Sequence, residues 1–174
     1  MLDPVSRTRI HTSCAAVRVI HLTMLSSLVI FWGVIQLARR LGGVWASRGA
    51  FSEVDWLRYS LYILTVGVVV GLLVLTRRTF TPRGIERRSG DPTLSSLLRV
   101  LSSAHIRIFA LAEVPAVLGI GLYLVGGYLT DFYVLASVTL LSFLAIIPRP
   151  TQWEEIIAAI AEQRPEILRD PLTS

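Results

Sequence analysis

Residues 106–147 read IRIFALAEVPAVLGIGLYLVGG, YLTD, FYVLASVTLLSFLAII, which is two apolar runs with only Tyr128 to Asp131 between them. The first run, about Ile106 to Val125, ends in Gly126-Gly127, a turn signal. The second, about Phe132 to Ile147, is stopped by Pro148 and Pro150. A span of a hydrocarbon core roughly 30 Å thick needs about 20 apolar residues in a helix. So short a connection between two such runs forces an antiparallel helical hairpin.

Working toward the N-terminus, two more runs have the same character. Val19 to Ala38 is too long for the apolar region of a cleaved signal peptide, about 7 to 15 residues, and reads as an uncleaved span. Leu57 to Leu75 follows Ser52 and Asp55, whose spacing is a variant of the capping box. Trp56, Tyr59 and Tyr62 belong at its outer interface, and Arg77 and Arg78 close its other end. A chain that is 53% hydrophobic, 17% charged and has a mean hydropathy of +0.62 agrees with four spans, since soluble domains are nearer a quarter charged.

The net charge of +5 comes from 17 arginines with no lysine. The arginines flank apolar runs instead of forming a stripe interleaved with aromatics, so nucleic acid is not an expected partner. Three precede the first span, four lie near the first loop, seven near the second, none in the third and three in the tail. Alternating sides gives 13 on one face and 4 on the other, which orients both termini and the Thr76 to His105 loop toward the cytoplasm of a bacterial cell, with the chain multi-pass in the inner membrane.

The second loop begins with a turn-rich stretch containing Thr81, Pro82, Gly84, Gly90 and Pro92. Leucines at 94, 97, 98 and 101 then carry helical spacing, which predicts an amphipathic helix on the membrane surface leading into the third span. In the tail, Thr151 and Glu154 read as a capping box, and Trp153, Ile156, Ile157 and Ile160 share one face. The tail is acidic, so that face is expected to dock on the protein itself, near the arginine-rich loop, and not on lipid.

Glu113 is the carboxylate that falls clearly within a span, and an ionisable group there is a functional hypothesis by default. Pro115 interrupts the backbone ladder two residues later and could free a carbonyl. Glu113 is the ion-binding or proton-exchanging candidate. The alternative is a structural role, paired with a hydroxyl or with Arg107; Arg107 lies six residues away on a different face of the same helix, which favours a partner from another helix. Gly67 and Gly71, and Ala112, Ala116 and Gly119, form small-residue faces suited to helix packing. Cys14 stands alone, and His11, His21 and His105 share no helical face with a carboxylate, so no zinc-protease motif is present and no metal is expected. Neither a nucleophile elbow, a phosphate-binding loop nor a dinucleotide fingerprint occurs, so the reading is not of an enzyme and names no cofactor.

The Ala112-Glu113 pair followed by Pro115 and Gly119 resembles the second helix of the proteolipid c subunit of rotary ATP synthases. That resemblance implies an ion-binding carboxylate at Glu113. The whole pattern, with Pro148-Arg149-Pro150-Thr151-Gln152-Trp153-Glu154 after the last span, is similar to a small uncharacterised bacterial family of four-span membrane proteins.

These readings combine into an all-α integral membrane four-helix bundle of two helical hairpins with an amphipathic C-terminal helix. Residues 1–18 form a cytoplasmic segment, 19–147 the transmembrane domain and 148–174 the tail. Its partners are the lipid bilayer and either further copies of itself, as a homo-oligomer, or a larger membrane complex. The expected role is structural or accessory, with proton- or cation-linked work at Glu113 as the alternative.

Overall fold

The computed structural model describes residues 3–41, 55–89 and 93–168. Its elements are α1 (Pro4–Arg40), α2 (Asp55–Thr79), α3 (Pro82–Ser89), α4 (Leu94–Gly126), α5 (Leu129–Ala145), α6 (Pro150–Gln163) and a 3-10 turn (Pro165–Leu168), and there is no strand among the described residues. Three helices, α1, α2 and α4, are long and apolar enough to cross a membrane. The pair α5 and α6 also qualifies together, although it bends by 51° at the break between them. A membrane protein of three or four spans follows. Val19, Leu22, Val29, Ile30, Ile63, Val66 and Leu141 are each more than 60% exposed, and water does not tolerate so much apolar surface on a monomer.

The chain divides into two compact units. One contains residues 1–21, 73–108 and 147–174, and the other residues 22–72 and 109–146. The core of the first is built from Ile10, Cys14 and Val17 of α1, Ile85 of α3, Leu97 and Leu101 of α4, and Trp153, Ile157 and Ile160 of α6. Leu94 and Leu98 are buried as well, so the leucine face of this segment meets protein. It is also continuous with the span instead of forming a separate surface helix. Residues 94 to 114 contain neither glycine nor proline, so nothing in the backbone interrupts the helix before Pro115.

Two local readings change. The turn-rich stretch is the helix α3: Thr81 Oγ1 accepts the Gly84 N–H at 3.1 Å and Pro82 takes the first helical position, so residue types shared by turns and helix starts here begin a helix. Gly84 is required, since a Cβ would lie 2.7 Å from the Arg78 carbonyl. The tail has no capping box, because α6 starts one residue earlier than Thr151. Arg149 is the N-cap without a side-chain bond, and Pro150 occupies the first turn. Ser52, like Ala46, Gly90 and Pro92, lies outside the described residues.

In the second unit α4 is the most enclosed span. Of its most apolar stretch 44% is buried, against 17% for α1 and 11% for α2. Ala112, Ala116 and Gly119 form its inward face, and a Cβ on Gly119 would stand 3.1 Å from Phe132 Cα and 3.2 Å from Leu135 Cβ of α5. Hydrogen at this position therefore sets how closely α4 and α5 approach. Phe109 and Phe143 complete the contact with ring centres 6.2 Å apart. The turn between the two helices passes through Gly127 at φ 71°, a left-handed conformation that suits glycine.

Candidate functional site

Glu113 sits on α4 one turn before the Ala116 to Gly119 contact. It is half-buried, and its Oε1 accepts a hydrogen bond from Ser27 Oγ of α1 at 2.5 Å. Arg107 is exposed. The effect of Pro115 is equally local: the Ala116 N–H beside it donates to Thr139 Oγ1 of α5 at 3.0 Å, and Thr139 is fully buried. A hydroxyl from a neighbouring helix thus serves the backbone where proline disturbs the ladder, a usual compensation in membrane helices. Around Glu113, then, α1, α4 and α5 are joined by two polar contacts.

The second polar centre was not legible as a site from the sequence. Asp131, read as a loop residue, lies in the first turn of α5 and is buried. The helix starts at Leu129, three residues before the apolar run, which draws the carboxylate in and sets it at a helix N-terminus, where negative charge is favoured. Arg58 of α2 meets it twice, with Nε 2.6 Å from Oδ2 and Nη2 donating to Oδ1 at 2.8 Å. Tyr62, one turn further along α2, donates its hydroxyl to the same Oδ1 at 2.7 Å. The Tyr128 ring lies beneath the guanidinium, 5.2 Å from centroid to Cζ. Nearby in sequence, Tyr133 Oη accepts from Gln36 Nε2 of α1 at 2.9 Å. The only sequence signal was the spacing of Arg58 and Tyr62, one turn apart on α2, opposite a lone acid at the start of the next hairpin's second helix.

Gly67 and Gly71 behave differently from Gly119. Both are exposed, and a Cβ on either would meet nothing within 4 Å. The small face of α2 is therefore not used for packing against the described residues.

In the first unit, Trp153 is fully buried on α6, with His105 of α4 at a ring distance of 5.3 Å, and His105 in turn lies 4.2 Å from Phe80. The His105 ring has Nδ1 3.0 Å from the Leu101 carbonyl. α6 packs on α3. Glu86 of α3 pairs with Arg164 at 3.0 Å, so the link between tail and second loop has an acid in the loop and a base in the tail, opposite in sign to the acidic-tail expectation. Glu154 instead faces α1, 2.7 Å from His11 Nε2. Arg18 Nε donates to the Pro148 carbonyl at 2.9 Å. Cys14 is buried in the core of this unit, and that burial pushes its thiol up.

No protein-family model, curated protein or solved structure matches the chain. Among the described residues no three of His, Cys, Asp or Glu converge as metal ligands would.

Proposed function

We propose that the chain is a structural or accessory inner-membrane protein: a four-span bundle of two hairpins, with cytoplasmic termini, that packs with itself or with a larger membrane complex. The observation that carries this reading is how its intramembrane carboxylates are used. Glu113 and Asp131 are each bound by side chains of a neighbouring helix, Ser27 in one case and Arg58 with Tyr62 in the other. Polar groups employed in this way hold helices together. The open Gly67 and Gly71 face on the least buried span supports packing with a further helix. Extraction from native membranes in mild detergent tests it: the chain should migrate above its 19.3 kDa, with bound copies or bound proteins identifiable. Gly67→Leu/Gly71→Leu should move it toward the monomer. A wild-type chain that is monomeric and free of bound protein would sink the accessory reading.

The arginine distribution supports the orientation. Cysteines placed at Ala46 and Gly90 are expected to be labelled from opposite sides, Ala46 from the periplasm and Gly90 from the cytoplasm. Labelling of both from outside contradicts it.

The second reading, a proton- or cation-linked device, rests on the half-buried Glu113 and its resemblance to an ion-binding helix. Glu113→Gln separates the two. The amide oxygen still accepts the Ser27 hydroxyl, so a structural residue should lose less than about 1 kcal/mol of stability, the net worth of the one hydrogen bond that is kept. An ion-linked carboxyl would instead be labelled by a hydrophobic carbodiimide, and sodium or raised pH would protect it. No labelling, with unchanged folding of the Gln variant, assigns Glu113 to the structural class.

A further inference from the structure

A cavity of about 560 Å³ opens between the N-terminal parts of α1 and α4, within the first unit. Arg9, Thr12 and Ser13 line it from α1, and Leu98, Arg99 and Ser102 from α4. None of its described lining residues carries a carboxylate. Arg99 is exposed and has no hydrogen-bond or ion-pair partner among the described residues. The Thr8 and Thr12 hydroxyls donate to the Pro4 and Thr8 carbonyls of their own helix. The donors this lining offers are therefore the two guanidiniums and the Ser13 and Ser102 hydroxyls. With no acid beside them, they match the oxygen-rich, negatively charged surface of a phosphate. Leu94 and Leu98 add an apolar side that a free anion would not need.

Position along the helices narrows the ligand. Ser13 precedes the first span, starting at Val19, by six residues, and Ser102 precedes Ile106 by four. At a rise of 1.5 Å per residue those hydroxyls stand about 6 to 9 Å outside the hydrocarbon. The polar headgroup layer occupies roughly the first 5 to 8 Å on each side. Arg9 and Arg99 lie a turn further out, where guanidiniums could reach a headgroup phosphate. Basic pockets between helices at this level suit anionic lipid headgroups.

We propose that this groove is a binding site for a phosphate group at the cytoplasmic membrane surface, with its apolar side favouring an anionic phospholipid over free phosphate as the source. The test uses the full chain in neutral detergent, with phosphatidylglycerol, phosphatidylcholine or inorganic phosphate added separately. Bound lipid is read by native mass spectrometry and folding by circular dichroism and thermal unfolding. Wild type should retain phosphatidylglycerol at least tenfold better than phosphatidylcholine, and Arg9→Gln/Arg99→Gln should lose that preference. Arg83→Gln/Arg87→Gln, which removes the same charge from α3, should keep it. Ser102→Leu, which fills the groove without changing charge, should also weaken retention and guards against a double variant that fails to fold. Thermal stabilisation by inorganic phosphate in wild type alone, with no preference between lipids, would keep the site and assign it to free phosphate. Equal lipid retention in wild type and the Arg9/Arg99 variant, or equal loss in the α3 control, overturns the proposal.

Discussion

Arg58→Met is expected to be the most damaging single substitution in the second unit, lowering stability by about 3 to 5 kcal/mol. Asp131 has only 2% of its side chain exposed, whereas Arg58 has 35%. Removing the arginine strands a buried carboxylate with one remaining side-chain partner among the described residues, the Tyr62 hydroxyl. The converse change, Asp131→Asn, leaves a cation that can turn toward water, so its loss should be smaller. The double variant Arg58→Met/Asp131→Leu should recover most of the Arg58→Met loss, because a buried pair replaced by apolar side chains is often neutral. The three variants are compared by unfolding in detergent. Equal losses for both single substitutions, with no recovery in the double variant, would show that the pair is not what holds α2.

That result matters because α2 has little else among the described residues. Only 11% of its most apolar stretch is buried, and its buried side chains are Thr65, Leu72 and Thr79. Thr65 donates its hydroxyl to the Leu61 carbonyl of its own helix. The Arg58, Tyr62 and Asp131 cluster is therefore the principal polar tie between α2 and α5.

Trp153→Ala should cost the other unit a similar amount, about 3 to 5 kcal/mol, as truncation of a fully buried aromatic does. Its ring closes the core between α6 and His105, and the Phe80 ring lies beyond. Trp153 Nε1 is buried without a hydrogen-bond partner among the described residues. Trp153→Phe removes that unpaired donor while keeping most of the volume, so it should lose less than about 2 kcal/mol. The readout is protease resistance of the second loop together with the unfolding midpoint. If the Ala and Phe variants were equally resistant to wild-type level, α6 would not be docked.

What could be read from the sequence was whatever depends on period and length. Three of the four apolar runs became helices of membrane length, the fourth reaches it only as α5 together with α6, and the spacing of Trp153, Ile156, Ile157 and Ile160 marks the four buried residues of α6. Single residues that belong to two kinds of signal were harder. Thr81 and Pro82 start a helix as readily as a turn, and only the Thr81 cap to Gly84 decides between them. Thr151 and Glu154 have capping-box spacing, but Pro150 can take the first helical turn without an N–H and so moves the start forward. Asp131 was missed because hydropathy ends a span at a charge. Here the charge is drawn inside by an arginine and a tyrosine of another helix, which no local pattern records. Glu113 was visible by its isolation, yet its partner Ser27 is 86 positions away and only the fold brings them together. The two glycine-containing faces look alike as strings, and they differ in that α5 covers Gly119 while nothing described covers Gly67.

If the chain is a packing component of the membrane, its α2 face receives a neighbouring helix. Photo-cross-linking in native membranes tests this directly, with a thiol-reactive benzophenone on a single cysteine at position 67 in a Cys14→Ser background. A cysteine replacing Leu141, an α5 residue 66% exposed, is the comparison. A discrete protein adduct is expected from position 67, either a second copy or one defined partner, and none from position 141. Adducts from neither position, or the same diffuse set from both, would contradict the packing role and leave α2 facing lipid alone.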